Sequence, residues 1–172
     1  MHERATMDRD DAHDPRAIAN RILDIRAKAG KPLTIMQLIK LAYIADGWSL
    51  ALLGKPLANE NPEAWRYGPV FRSIYNAFSG IGDRPVTGRA TVRGTQIPIA
   101  EKFDVQEESI LQMVVDAYGK LSAFTLSNLT HQPGTPWSKA YENGVYSDID
   151  IYEMKRHFVS LKAKRLVKKQ PA

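Results

Sequence analysis

Apolar residues recur at helical spacing along most of the chain, broken by Gly, Pro and short polar stretches. Residues 1–13 are polar, charged and without periodicity, and are expected to form a disordered N-terminal tail. Asp14 then offers an N-cap and Pro15 a first helical position. Ile18, Ile22, Ile25 and Ala29 follow on one face, and Gly30 with Pro32 ends that helix. A second helix is predicted over about 34–53, where Thr34 and Gln37 have the spacing of a capping box. Leu38, Leu41, Ala45, Trp48 and Leu52 form its stripe, thickened by Ile35, Ile39, Ala42 and Leu53. A helix apolar around so much of its circumference belongs at the centre of a bundle. Gly54 and Pro56 stop it.

Beyond it the pattern is less regular. Residues near 63–67, with Ala64-Trp65-Arg66-Tyr67 at their heart, predict a short extended segment before Gly68-Pro69. Pro69 suits the first turn of a following helix that carries Val70, Ile74, Ala77 and Phe78. Between 84 and 100, β-branched residues alternate with Gly and polar groups, which predicts a loop with one small β-hairpin. Asp104 and Glu107 repeat the capping pattern before Ile110, Met113, Val114, Ala117 and Leu121. Shorter helices are expected at 124–130 and from Thr135-Pro136, where Trp137 and Tyr141 are spaced to meet. A last helix spans about 149–166 through Ile151, Met154, Phe158 and Leu161. The prediction is a mainly α, compact single domain over 14–166, of six or seven helices, with a flexible tail at 167–172.

Net charge sharpens this picture. The total is +5, yet no acidic residue follows Glu153. Lys155, Arg156, Lys162, Lys164, Arg165, Lys168 and Lys169 lie beyond it, so residues 1–154 carry −2. A slightly acidic body with a basic end is either a solvated helix face or a contact for an acidic partner or nucleic acid. The chain has no cysteine, a charged N-terminus without an apolar core and no apolar run of about 18 residues. A cytoplasmic location and no membrane partner are therefore expected. Four scattered histidines (His2, His13, His131, His157) make no metal-ligand pattern, and neither metal nor cofactor is expected.

None of the HExxH, GxSxG, phosphate-loop, GxGxxG or CxxC spacings occurs, so no enzyme is expected. His131 is the one base considered, beside Ser127 and Thr130; its alternative role is to cap carbonyls at a helix end before Pro133-Gly134. Lys40 and Asp46 fall inside the apolar helix and need partners. For Asp46 the candidates are Arg66, Tyr67 and Trp65, with a polar contact to a bound peptide as the alternative. Trp48 is expected in the core. Trp65, Arg66, Tyr67, Phe71 and Arg72 combine aromatic area with guanidinium groups beside a loop, the composition of a protein-binding surface. The edge at 63–67 could also receive a partner's strand.

The segments LIKLAYIADGWSLALLGKPL, EAWRYGPVFRSIYNAFSGIG and LSNLTHQPGTPWSKAY, in that order, resemble the Panacea domain. That family includes SocA-like antitoxins and phage-associated GepA-like proteins, and the resemblance covers about residues 17–142. It implies a helical antitoxin domain that neutralises a cognate toxin by protein contact, in the SocA-like branch also by delivering it to the ClpXP protease. It supplies no catalytic residues. Its motif positions fall here on Lys40, Asp46, Gly47, Trp48, Glu63, Trp65, Tyr67, Gly68, Pro69, His131, Pro136 and Trp137. An adaptor needs a tether, and Arg165, Leu166, Val167 and Lys168 in the basic tail are the candidate, against the alternative of a solvated end. The runner-up reading is a nucleic-acid-binding regulator using the basic final helix, although no helix-turn-helix pattern stands out.

Overall fold

Helix caps account for the element boundaries. The computed structural model describes residues 7–169, and for 167–169 the backbone only. Helix α1 (Pro15–Ala29) starts at Asp14, whose carboxylate accepts from the Arg16 backbone N–H. Helix α2 (Ile35–Leu53) opens with the full Thr34/Gln37 capping box. The hairpin β1 (Glu63–Trp65) and β2 (Gly68–Val70) follows, then α3 (Arg72–Ala77). Helix α4 (Val105–Tyr118) begins with an Asp104/Glu107 capping box. The chain continues through α5 (Ala123–Thr130), α6 (Pro136–Glu142), β3 (Ser147–Asp148) and α7 (Ile151–Lys169). Seven helices are thus present among the described residues, as the periodicity predicts.

Helix α2 is the hub: α1, α4, α5 and α7 all pack on it. Every residue from Leu38 to Leu50 is buried. The helix is long and apolar enough to cross a membrane by length and composition, but 78% of that window is buried inside the fold. It packs tightly on α7 at Gly47, where an added Cβ would meet the Phe158 ring at 2.1 Å. Phe158 in turn packs edge-on against Trp48, 5.4 Å between centroids.

The sheet is antiparallel in the order β2-β1-β3. Ala64 pairs with Pro69, so Pro69 lies in an edge strand rather than in the first turn of a helix. An edge position tolerates a residue without an N–H. Strand β1 is central, flanked on both sides, which removes the free edge expected for strand addition. In the 84–100 region the predicted hairpin is reduced to a single bridge, Thr91 to Pro98, with Val92 N–H on Ile97 O and Ile99 N–H on Ala90 O.

Residues 7–13 do not behave as the expected disordered tail. His13 N–H donates to Leu57 O and its carbonyl accepts from Asn59 N–H, which adds a short parallel bridge beside Ala58. Arg9 is buried and reaches Asp46. The expected tail at 1–6 lies outside the described residues. At the other end α7 runs to Lys169, past the boundary at 166, so 167–169 are helical rather than tail; 170–172 lie outside the described residues.

Candidate functional site

The two charges inside α2 have different fates. Asp46 is completely buried and accepts from Arg9 Nη1 and Nη2 at 3.0 and 2.9 Å, and from the backbone N–H groups of Leu57 and Ala58 at 2.9 Å. Its partner is therefore Arg9, not Arg66, Tyr67 or Trp65. Arg9 also donates to Ala58 O and Asn61 Oδ1, so the guanidinium ties the chain's start to the loop after α2. Lys40 has far less. Its ammonium, also completely buried, donates to Pro69 O at 2.9 Å, the one acceptor recorded for it among the described residues. Burial pushes its pKa down to about 7. Gly68, at φ 119°, is needed beside it, because a Cβ there would come within 2.9 Å of Lys40 Nζ.

Above Lys40 the hairpin turn builds an aromatic platform. The Trp65 ring meets Tyr75 and Tyr146 edge-on, at 4.9 and 5.4 Å between centroids. The Arg72 guanidinium lies 5.1 Å from the Trp65 ring and 5.4 Å from that of Tyr146. Glu63 holds the set in register, accepting from Trp65 Nε1 at 2.9 Å and from Arg72 Nη2 at 2.7 Å. Burial works to raise the Glu63 pKa, but the bonds from Arg72 and Trp65 outweigh it and hold the carboxyl below its ordinary range. Trp137 Nε1 donates to Trp65 O at 2.6 Å and stacks on Tyr141, so α6 braces the platform from behind. Arg66 and Tyr67 form the tip of the turn; both are exposed, with the guanidinium 5.4 Å from the Tyr67 ring.

Two depressions adjoin this surface. One, about 140 Å³, is lined by Lys40, Val70, Trp65, Arg66, Tyr67 and Tyr146, among others. The other, about 560 Å³ and mostly apolar, runs between α2 and the loop after α3, past Ile35, Ile39 and Tyr75. Met36 borders both. The platform and the groove thus form one continuous surface.

Of the residues proposed for partner contact, Trp65, Arg66, Tyr67 and Arg72 come together here. Phe71 does not: it is completely buried beneath α3 and has no surface to offer. Tyr146, Tyr75 and Met36 also line this surface and were not among the proposed residues. For Tyr146 a sequence signal existed in the Asn143-Gly144 turn that precedes it. Its φ of 71° is unusual for a non-glycine residue, and its N–H is held by Ala64 O at 2.8 Å. His131 takes its capping role: Nδ1 is bonded to Ser127 O at the end of α5, while Ser127 Oγ donates to Tyr67 O at 2.5 Å. Trp48 is in the core as expected, with Nε1 on Tyr118 Oη at 3.2 Å.

The basic end divides. Arg165 folds back over Trp48, 4.8 Å from the ring, and hydrogen-bonds Tyr118, so it docks α7 rather than trailing free. Leu166 is exposed; the side chains of Val167 and Lys168 lie outside the described residues. Arg156, Lys162 and Lys164 face outward.

The protein-family model described as "Antitoxin SocA-like, Panacea domain" matches residues 38–138, more than half of the chain. The chain is also 34% identical over 128 residues to the protein named Antitoxin SocA of Caulobacter vibrioides (strain NA1000 / CB15N), spanning 72% of this chain and 68% of that one. The chain belongs to the SocA-like antitoxin family. No solved structure matches it. The Panacea match contains Lys40, the hairpin and the start of α6, but not the Arg9 strap, Tyr146 or α7. In this member of the family, the platform is completed by Tyr146, which lies beyond the matched stretch and beyond α6.

Proposed function

We propose that this chain is an antitoxin that grips a cognate protein toxin through the Trp65–Tyr146 platform and its adjoining groove, and passes it to the ClpXP protease as an adaptor. The observation that carries the first step is the platform's composition: exposed Tyr67 and Tyr146, half-buried Trp65 and two guanidinium groups beside an apolar groove. Aromatic and Arg side chains of this kind dominate binding energy at protein interfaces. No catalytic step is assigned, since His131 and Ser127 are engaged with the backbone around them. The family resemblance supports the adaptor step, and a sequence without cysteine is consistent with a cytoplasmic setting.

The test uses the product of the neighbouring gene. Arg66→Ala and Tyr67→Ala alter exposed side chains, so the fold should be retained while affinity falls about tenfold or more. Unchanged affinity in both would dismiss the platform. A pulse-chase in ClpXP-positive and ClpXP-null cells tests delivery: the toxin's lifetime should shorten only when this chain and ClpXP are both present. The runner-up, nucleic-acid binding by α7, is favoured by its outward Arg156, Lys162 and Lys164. It demands operator-selective binding that weakens steeply with salt.

A further inference from the structure

The small depression over Lys40 has a charge pattern that the packing of the fold does not require. Lys40 and Val70 are buried and form its floor; Arg66, Tyr67, Val145 and Tyr146 stand exposed around it. Two cations line it and no carboxylate does. The nearby acids are engaged elsewhere: Asp46 by Arg9 and two backbone N–H groups, Glu63 by Arg72 and Trp65. Lys40 has three N–H donors, and Pro69 O accepts from one of them. Thr130 Oγ1, the other polar atom close to Gly68, turns its proton to Leu126 O and makes no hydrogen bond with Lys40 among the described residues. A buried ammonium with donors left over is costly unless something completes its shell. Lys40 itself exposes no surface, and the depression it lines lies beneath the rim that the proposed function assigns to toxin contact.

We infer that this depression receives an acidic side chain, Asp or Glu, of the bound protein partner, whose carboxylate pairs with the Lys40 ammonium under the aromatic rim. The inference rests on the reading of the platform as the toxin-contacting surface. The volume of about 140 Å³ suits one side chain and not a peptide segment. Arg66 at the rim supplies a second cation, which favours an anion entering from solvent. Docking of the acid gives Lys40 the charged partner that the fold alone withholds, so specificity comes from a single position on the toxin.

Two experiments decide it. In the first, the Lys40 ε-carbon of the free wild-type protein is titrated by NMR in sodium acetate and in sodium chloride at equal ionic strength. Acetate should raise the midpoint from about 7 and chloride should not; equal midpoints overturn the inference. This arm needs no toxin, so it stands even if the neighbouring gene product proves not to bind. In the second, affinity for that product is measured for Lys40→Met crossed with each Asp→Asn and Glu→Gln change on the toxin. Lys40→Met keeps the apolar stem and should weaken binding about 10- to 100-fold. One acidic position on the toxin should lose its effect in the Lys40→Met background. Additivity at every acidic position overturns the inference, as does coupling to the toxin's terminal carboxylate alone. Loss of binding in Tyr67→Ala together with such additivity would leave the platform standing and remove only the acid pocket.

Discussion

Arg9→Met is the sharpest perturbation of this fold, since the residue lies in a stretch with no helical or strand pattern. Arg9 makes a two-pronged pair with Asp46 and further bonds to Ala58 O and Asn61 Oδ1. Removing one partner of a buried ion pair costs about 3–5 kcal/mol, because the other charge is left uncompensated. Asp46 keeps its two backbone donors in Arg9→Met, which argues for the lower end, about 3 kcal/mol. For a chain of this size that is a fall in Tm of about 6–12 °C. Asp46→Leu should cost more, about 5 kcal/mol, because it strands Arg9 and orphans the Leu57 and Ala58 N–H groups. In the Asp46→Leu background, Arg9→Met should then cost less than about 1 kcal/mol. Urea unfolding followed by tryptophan fluorescence and by circular dichroism measures all four proteins. An Arg9→Met protein within about 1 kcal/mol of wild type would refute the reasoning, and so would additive costs in the double variant.

Gly47→Ala should destabilise by about 1–2 kcal/mol: the clash with the Phe158 ring exceeds the helix-propensity gain of about 1 kcal/mol, and a Tm at or above wild type would contradict this. Lys40 should make stability depend on pH. Between its folded value of about 7 and its ordinary 10.5 the unfolded chain holds a proton that the folded chain lacks, so stability rises with pH across that window. The rise approaches ~1.4 kcal/mol per pH unit relative to Lys40→Met, and a difference flat from pH 7 to pH 9 in urea titrations would exclude it. Arg165→Ala should loosen the end of α7 from Trp48 and Tyr118, seen as faster amide exchange beyond Phe158 with the rest of the protein unchanged. Ser73→Ala should be neutral or slightly stabilising, since Ser73 Oγ is buried without a partner; a loss above about 1 kcal/mol would point to a bond not seen here.

The helices were legible because their signals are local. The Thr34/Gln37 and Asp104/Glu107 boxes each close within three residues, and α2 declares its central place by being apolar nearly all round. What failed was long-range or ambiguous. Asp46 visibly needed a partner, but nothing in the charged run around Arg9 distinguishes a buried guanidinium from a solvated one. Pro69 fits a helix start and an edge strand equally well, and only its pairing with Ala64 decides. Strand β3 has two residues, too few to show any alternation, so the flanking of β1 on both sides could not be foreseen. The same blindness hid Tyr146 and turned Phe71 from a core residue into a supposed contact. That Trp65, Arg66, Tyr67 and Arg72 lie together was legible because aromatic and guanidinium side chains cluster there in the sequence itself.

The contact between Trp65 and Tyr146 joins chain segments separated by four helices and a long loop. A surface assembled in this way has no linear equivalent. No peptide cut from this chain should compete for whatever binds the platform, because Tyr146 is held beside Trp65 by the bond from its N–H to Ala64 O. Occupancy of the platform is then a readout of folding itself, and a partner held there stabilises the folded chain in proportion to its concentration.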